Sequence, residues 1–423
     1  MRYRSSGVTG TTVRSMALVG VVGAVAAALV GCSSSSDEPS EVVDTAVLGA
    51  SNKATGTPIT IGVISEGKSA AIDATDEIKG IRAAADYANE YLGGIAGHPI
   101  ALKVCEAQAN PAKTTDCANQ MVQANVSAVV EGLLGGADQT VAVLSQAKIP
   151  LFMLGGSTPA TLTTPGVFSM GNAMAYFGSA AVEAKKKGIQ RAALVVIGVP
   201  GAEGPARQMG GLVFGQSGIE LEVVPIPPGV ADMTPQISAA DTKKPGLYYA
   251  FGDETFCTSA LKAIKTVNPK AALMIIDRCI APGSARSIPG GYAGTTVVTG
   301  TDLTEDAPDG RLFAAVLDKY GDGAKYGATA ASGYAPMLGL VRALNAAAIT
   351  ETTPAAVLVG LQSAPPVDHP LSAGAKMQCN GKQIPIAPAV CNPDGLIAEA
   401  TEDGTLTNFQ RIPYDPALYL PSR

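Results

Sequence analysis

The residues that most suggest chemistry lie in the first strongly apolar stretch, where Gly62–Ser69 matches the pattern G-x-x-x-x-G-K-S. Loops with this pattern hold phosphates with backbone N–H groups and a lysine. Further along, the apolar run ALMIID ends in Asp277, where the magnesium-binding acid of a nucleotide hydrolase would stand. The two features together would indicate an ATPase if their surroundings allowed a phosphate-binding loop.

The surroundings exclude that chemistry. Val63 and Ile64 continue an apolar alternation that begins at Ile59, so they belong to a strand and not to a loop that wraps phosphates. The next helical pattern begins only after the segment AAIDATDE, whereas a phosphate-binding helix starts directly after the lysine. We therefore interpret the match as a coincidence.

The N-terminus is typical of an export signal. Three arginines are followed by an uncharged apolar run over residues 16–30, which is short for a membrane-spanning helix of roughly 20 residues. The run stops at Leu-Val-Gly-Cys, which resembles the lipobox of bacterial lipoproteins, whose cysteine becomes lipid-modified. An ordinary signal peptide with an incidental cysteine is the alternative. We predict a signal peptide over residues 1–31, lipidation of Cys32, and a flexible tether over residues 32–56, rich in serine and threonine.

The charge balance restricts the partners. The whole chain carries a net charge of −6, and loss of residues 1–31 removes three arginines and no acid, which makes it −9. No basic block remains, so we predict that the protein does not bind nucleic acid. The only histidines, His98 and His369, are far apart and no C-x-x-C occurs. We therefore predict neither a metal site nor a cofactor.

Six cysteines remain after Cys32, an even number that indicates disulfides in an exported chain. Six cysteines allow fifteen pairings, and reduced buried thiols are a further alternative. Pairing of nearest neighbours would close three short loops: Cys105–Cys117, Cys257–Cys279 and Cys379–Cys391. We take this pairing as the working expectation.

From residue 58 onward, short apolar runs alternate with segments whose apolar residues recur every three or four positions. This βαβα alternation predicts parallel sheets with helices on both faces. The chain is longer than the segment that usually folds around a single hydrophobic core, so two lobes are expected. We predict an α/β fold whose first lobe comprises residues 57–172 and 301–372. The second lobe would comprise residues 173–300 and 373–423, ending in a hairpin-like piece with a disulfide.

The ordered motifs of the chain resemble the type I periplasmic-binding fold, and most closely the leucine/isoleucine/valine-binding proteins of ABC importers. The resemblance covers residues 57–362 and weakens after residue 373. The motifs that carry it are ITIGVI, GIRAAADYANEYLGGIAGHPIALKV, NPAKTTDCANQMV, SAVVEGLLGG, IPLFMLGGSTPATLT, PGLYYAFGDETFCTSALKAI and GYAGTTVVTG. It implies two Rossmann-like lobes joined by a hinge, which close on a small solute at the carboxyl ends of the strands.

The resemblance also assigns a binding site. It implies that backbone N–H groups hold the solute's carboxylate, that an acid at Asp277 receives its ammonium, and that residues after the first strand line the cleft, Glu66 among them. Two tyrosines usual in the second lobe are missing near Gly201 and Gly252. The predicted solute-binding residues are Ser65, Gly135, Gly136, Gly155, Gly156, Ser157, Thr158, Gly252, Asp253 and Asp277.

Each of these polar residues also has a purely structural interpretation. Ser157 and Thr158 could cap a helix or form a turn, and Asp277 could cap a helix or pair with Arg278. Asp253, with Glu254, could be a first-turn acid that favours the helix dipole. The missing tyrosines would leave a roomier and less polar pocket. Amides, short carboxylic acids and aromatic acids therefore remain possible solutes besides branched-chain amino acids.

The function expected from these features is a solute-binding protein, not an enzyme, and a monomer. It would be lipid-anchored on the outer face of the cell membrane and would deliver its solute to an ABC permease and its ATPase. A ligand-sensing receptor subunit of the same fold is the alternative, and an extracytoplasmic enzyme is a remote one. An enzyme would need a nucleophile beside a base, for example His98 near a serine of the cleft.

Overall fold

The computed structural model describes residues 45–69, 73–132, 134–281 and 283–420. The predicted signal peptide and Cys32 lie outside these residues. None of the described helices is both long and apolar enough to cross a membrane.

Fourteen strands occur in the described part of the chain. In chain order they are β1 Ile59–Ser65, β2 Ile100–Glu106, β3 Ala128–Glu131, β4 Leu151–Gly156, β5 Val167–Asn172, β6 Arg191–Ile197, β7 Glu220–Ile226, β8 Leu247–Phe251, β9 Ala272–Ile276, β10 Thr295–Thr299, β11 Val367–Asp368, β12 Lys376–Met377, β13 Gly395–Ala400 and β14 Leu406–Ile412.

The described part of the chain also contains twelve α-helices, which connect or cover these strands. They are α1 Thr75–Tyr91, α2 Pro111–Gln123, α3 Ala137–Ala147, α4 Pro159–Thr163, α5 Ala175–Lys186, α6 Pro200–Pro205, α7 Gly211–Gln216, α8 Thr234–Asp241, α9 Glu254–Val267, α10 Pro308–Tyr320, α11 Ala328–Ala346 and α12 Pro354–Ser363. A π-helical turn, Ala206–Gly210, joins α6 to α7, and short 3-10 turns cover Thr45–Leu48, Asp277–Cys279, Ser284–Ser287 and Pro416–Leu418.

The strands form two large sheets. The first is parallel with the order β2-β1-β3-β4-β5, and the second has the order β14-β13-β10-β9-β8-β6-β7. The parallel part of the second sheet repeats the order of the first, and β13 and β14 extend it as an antiparallel pair. The predicted α/β architecture of two parallel-sheet lobes is confirmed. The sequence analysis missed β5, whose run VFSMGN was taken as the boundary between the lobes.

The chain passes between the sheets at three places. The first crossing follows β5 at residues 173–174, and the second follows β10 at residues 300–307. The third crossing is residues 392–394, and it runs beside the first: the Asn172 side chain donates to the carbonyl of Pro393 at 2.8 Å. The backbone N–H of Asn392 donates to Met170 O at 3.1 Å. The lobes are therefore joined by neighbouring, hydrogen-bonded segments.

Two segments pack differently from the sequence-based division. The predicted tether is ordered from Thr45, because Leu48 is buried in the first lobe and the N–H of Asn52 donates to Glu90 O in α1. The disulfide loop 379–391, assigned to the second lobe, packs on both lobes: Cys379 and Cys391 are buried in the first-lobe core, whereas Ile384, Ala387 and Val390 are buried in the second-lobe core. Val390 also bridges to Ser169 of β5. The hairpin lies after this loop, in β13 and β14, and not within it.

Small residues allow the two main helices of the first lobe to touch. An added Cβ at Gly80 of α1 would lie 2.1 Å from the carbonyl oxygen of Ala330 in α11. At Gly333 of α11 it would lie 2.1 Å from the carbonyl oxygen of Glu77. Because the obstacles are backbone atoms, the helices themselves would have to separate. The abundance of alanine and glycine therefore serves close helix packing.

We expect the substitution Gly80→Ala to destabilise the protein by about 1–3 kcal/mol, since overpacking of a backbone contact strains the core. Gly211→Ala is the matched control, because nothing lies within 4 Å of its added Cβ in a helical position. The control should gain about 0.5–1 kcal/mol from reduced chain entropy. Urea unfolding followed by far-UV circular dichroism measures both; equal effects would contradict the close packing of the two helices.

Candidate solute-binding cleft

Asp277 is the best-held charge at the carboxyl ends of the second-lobe strands. It begins the 3-10 turn after β9, and its Oδ2 accepts hydrogen bonds from the Thr299 hydroxyl at 3.0 Å and the Gly300 N–H at 3.2 Å. The Tyr176 hydroxyl donates to Oδ2 at 3.2 Å, and the Arg278 N–H donates to Oδ1 at 2.9 Å. All four donors are uncharged. Within the described residues no cation lies within 4 Å of this carboxylate, so it is oriented but has no counter-ion.

An aromatic wall adjoins this carboxylate, which the sequence analysis did not anticipate. The Tyr176 ring stands edge-on to Phe251 with centroids 6.4 Å apart, and Phe251 stacks on Phe177 at 5.3 Å. Burial, together with the nearby Asp277 charge, holds the pKa of Tyr176 well above its usual range, so its hydroxyl remains a donor. Tyr176 thus supplies from α5 a ring and a hydroxyl of the kind that the missing tyrosines suggested were absent.

A disulfide holds the turn that carries Asp277. Cys279 is fully buried and bonded to Cys257 in the first half of α9. Cys105–Cys117 similarly joins β2 to α2 in the first lobe, and Cys379–Cys391 closes the loop before the third crossing. The expected nearest-neighbour pairing is confirmed in all three cases. Two of the three disulfides therefore brace the strand ends where the cleft forms.

The remaining predicted residues of the second lobe have local roles. Asp253 is exposed and caps α9 by accepting from the Phe256 N–H at 2.9 Å. Gly252 packs closely on the same phenylalanine, because an added Cβ would lie 2.5 Å from its ring. Asp253 therefore has a structural role at the start of α9, as its N-cap residue, and Glu254 is the acid of the first turn.

In the first lobe, the turn after β3 is occupied by a protein carboxylate. Glu66, directly after β1, accepts from the exposed Gly135 N–H at 2.8 Å and from the Ala109 N–H at 2.6 Å. Its side chain is only 6% exposed. Gly136 is the N-cap residue of α3, and it packs on Thr114. The N–H of Gly135, expected to hold a solute carboxylate, is therefore already used by Glu66.

Ser65 and the turn after β4 differ in accessibility. Ser65 is fully buried, and its hydroxyl donates to Glu77 at 2.7 Å. Gly156 donates to the Ser169 hydroxyl at 2.7 Å, whereas an added Cβ at Gly155 would meet nothing within 4 Å. Ser157 is exposed. At this turn the open groups are therefore Gly155 and Ser157.

Thr158 has the capping role that was the alternative for it. It forms a reciprocal capping box with Thr161 at the start of α4, and its hydroxyl donates to Asp138 at 2.5 Å. This contact joins the turn after β4 to the first turn of α3. The threonine therefore stabilises the strand edge beside the open groups of Gly155 and Ser157.

The histidines lie away from any nucleophile arrangement. His98 Nδ1 lies 2.6 Å from the Thr57 carbonyl on a surface turn. His369 is buried against Asn392 at 2.7 Å, and burial lowers its pKa to about 3 with a further contribution from Arg342. No group of three or more metal-ligating side chains occurs in the part of the chain that the structure describes. Neither histidine lies beside a serine of the predicted binding residues.

Two lobes with parallel sheets, three crossings and polar groups at the strand ends define a solute-binding protein of the hinged, two-lobed class. A family model described as periplasmic binding protein matches residues 58–389, and the chain belongs to this family. No curated protein matches the sequence.

Solved structures share the fold at low identity. The ABC transporter substrate-binding protein of Sphaerobacter thermophilus is 20% identical with a TM-score of 0.69, over 85% of this chain and 97% of that one. A solute-binding protein of Rhodopseudomonas palustris with p-hydroxybenzoic acid is 17% identical at 0.68, covering 86% and 99%. The branched-chain amino acid binding protein of Streptococcus pneumoniae with isoleucine is 16% identical at 0.65, covering 84% and 99%.

A buried carboxyl behind the first-lobe turns makes stability depend on pH. Glu131 ends β3, is fully buried, and neither carboxyl oxygen has a hydrogen-bond partner among the described residues. Burial raises its pKa to about 8; the nearby Thr140 hydroxyl opposes this rise, and the carboxylates of Glu77 and Glu66 add to it. The folded state therefore retains a proton on Glu131 at pH values where the unfolded chain loses it.

We expect the wild-type protein to lose stability relative to Glu131→Gln as pH rises from about 5 to 9. The pKa of Glu131 is higher in the folded state than in the unfolded state. Its contribution to the free energy of unfolding is therefore fully present at pH values below the unfolded-state pKa. The contribution is lost as the pH rises through the folded-state pKa, by at most about 1.4 kcal/mol per pH unit. Urea unfolding at several pH values checks this. The exposed Glu351→Gln should keep the wild-type pH profile; a parallel profile for Glu131→Gln would refute the assignment.

Proposed function

We propose that this chain is the lipid-anchored solute-binding protein of an ABC importer and that it captures a small solute carrying a protonated amine. Branched-chain amino acids and their amides are the first candidates. The observation that carries the proposal is the carboxylate of Asp277, which four uncharged donors orient and which has no cation within 4 Å among the described residues. A partly buried carboxylate without a counter-ion favours a positively charged ligand group.

The surroundings of Asp277 support a compact, partly apolar solute. Tyr176 and Phe251 provide ring surface next to the carboxylate, and such faces suit both alkyl groups and cations. On the first lobe, Ser157 provides an exposed hydroxyl, and Gly155 leaves space beside the end of β4 because nothing lies within 4 Å of an added Cβ there. A ligand between the lobes would be enclosed by hinge closure about the three crossings.

The proposed cellular setting follows from the N-terminal signal and the family. Lipidation at Cys32 would hold the protein on the outer face of the membrane, and a permease with its ATPase would receive the solute. The neighbours of known structure are described as binding proteins for p-hydroxybenzoate and isoleucine, among others. Solute-binding proteins of this fold thus accept different ligands. We propose an amine because of the Asp277 carboxylate and the uncharged donors around it.

We expect Asp277→Asn to weaken the binding of L-leucine or L-leucinamide at least about tenfold, because the ammonium loses its only charged partner there. Isothermal titration calorimetry is the suitable measurement, because the chain contains no tryptophan to report binding by fluorescence.

Asp241→Asn is the matched control for this substitution. Asp241 is also held by uncharged donors, Tyr248 and Asn268, but it lies at the end of α8 and precedes the sheet strand β8. Its variant should bind like the wild type. Unchanged affinity in Asp277→Asn, or binding of carboxylates alone, would reject an amine-binding role for Asp277.

A further inference from the structure

We infer that Glu66 determines the solute class, by excluding free carboxylates from the first-lobe half of the cleft and favouring solutes that present an uncharged amide or a positive group there. The inference rests on the proposed function, since it concerns the solute whose amine binds Asp277. It reverses the usual expectation that this edge of a parallel sheet attracts anions.

Glu66 occupies the place where an anion would bind. Its two carboxylate oxygens accept from Gly135 N at 2.8 Å and Ala109 N at 2.6 Å, in loops that follow β3 and β2. Gly135 directly precedes the N-cap residue of α3, whose helix dipole favours a negative charge. The carboxylate of Glu66 therefore satisfies the N–H and dipole that a solute carboxylate would need.

At four other helix starts at the carboxyl ends of the strands, a side chain of the protein accepts from the first backbone N–H groups, whereas α6 has no side-chain cap. Asn110 caps α2, Thr158 caps α4 and Asp253 caps α9. Ahead of α1, Asp73 accepts from the N–H of Thr75 at 3.1 Å. Four capping devices that could bind an anion are thus used internally, two of them by carboxylates.

The charges near the cleft point in the same direction. Neither Glu66 nor Asp277 has a cation within 4 Å among the residues that the structure describes, whereas Lys68 pairs with Asp73 at 2.9 Å. A solute carboxylate brought to the Gly135 turn would face the Glu66 charge in a partly desolvated position. Like charges in such a position repel strongly. An amide in the same place could donate to a carboxylate oxygen instead.

Three probes that share one alkyl side chain test the inference: L-leucinamide, L-leucine and 4-methylpentanoate. Calorimetry with the full chain should give a Kd for leucinamide at least about tenfold below that for leucine, with 4-methylpentanoate weakest. Glu66→Gln removes the charge and should reduce this preference by about tenfold. Circular dichroism and the urea midpoint establish that the variant is folded.

Glu106→Gln is the matched control. Glu106 also accepts a backbone N–H, that of Lys68 at 3.1 Å, at the same strand edge, but it is exposed and does not contact the turn after β3. Its variant should keep the wild-type ratio of the two Kd values. If Glu106→Gln changed the ratio of the two Kd values as much as Glu66→Gln does, the effect would come from the net charge of the cleft and not from the position of Glu66. That result would overturn the inference.

The outcomes separate this inference from the proposed function. If wild-type protein binds leucine as tightly as leucinamide, and Asp277→Asn weakens both, the amine site stands and the role of Glu66 is rejected. If the preference for leucinamide persists undiminished in folded Glu66→Gln, the role of Glu66 is likewise rejected. If only 4-methylpentanoate binds, or none of the three probes does, the amine site and the inference built on it both fail.

Discussion

The hydrogen bonds of the Asp277 carboxylate tie the binding cleft to the hinge. Tyr176 lies at the start of α5, immediately after the first crossing, and Gly300 is the first residue of the second. One carboxylate therefore receives a donor from α5, two residues after the first crossing, and a donor from the second crossing itself. A solute ammonium that bound Asp277 would also act on the hydrogen bonds from Tyr176 and Gly300. Binding at this carboxylate would therefore be coupled to the position of the two crossings. The third crossing is joined to the first by the hydrogen bond from the Asn172 side chain to Pro393 O.

The fold could be predicted from the sequence because its signals are local. Nine parallel strands were recognised from short apolar runs, and the helices between them from their periodicity. The strand β5 was missed because its glycine and asparagine are typical of a turn, whereas pairing with β4 makes it a strand. The segment before β1 was not predicted to pack on the lobe because its composition is polar; Leu48 and Ala54 are buried there, and Asn52 and Ala54 donate backbone hydrogen bonds to α1.

The site was less predictable, because its contacts join residues far apart in the chain. Asp277 was found by its position after a strand, but Tyr176 is 101 residues away and looked like an ordinary helix residue. Glu66 accepts from groups 43 and 69 positions away, and nothing in its local sequence indicates those partners. Local patterns predict which strand ends form the cleft, while the pairing of polar groups across loops depends on tertiary packing.

The disulfides Cys105–Cys117 and Cys257–Cys279 offset a stability cost that the carboxyl groups near the cleft impose. Glu66 and Glu131 are carboxyl groups buried without a cation among the described residues, and each arrangement costs stability relative to a solvated or paired group. Asp277 is partly buried and likewise has no cation within 4 Å among these residues. Active regions of proteins commonly carry such strain, which the rest of the structure must offset. Cys105–Cys117 and Cys257–Cys279 restrict the unfolded chain next to these strand ends, and disulfides of this loop size typically contribute about 2–4 kcal/mol. The stability that these disulfides add thus offsets the cost of leaving carboxylates without a cation near the proposed binding site.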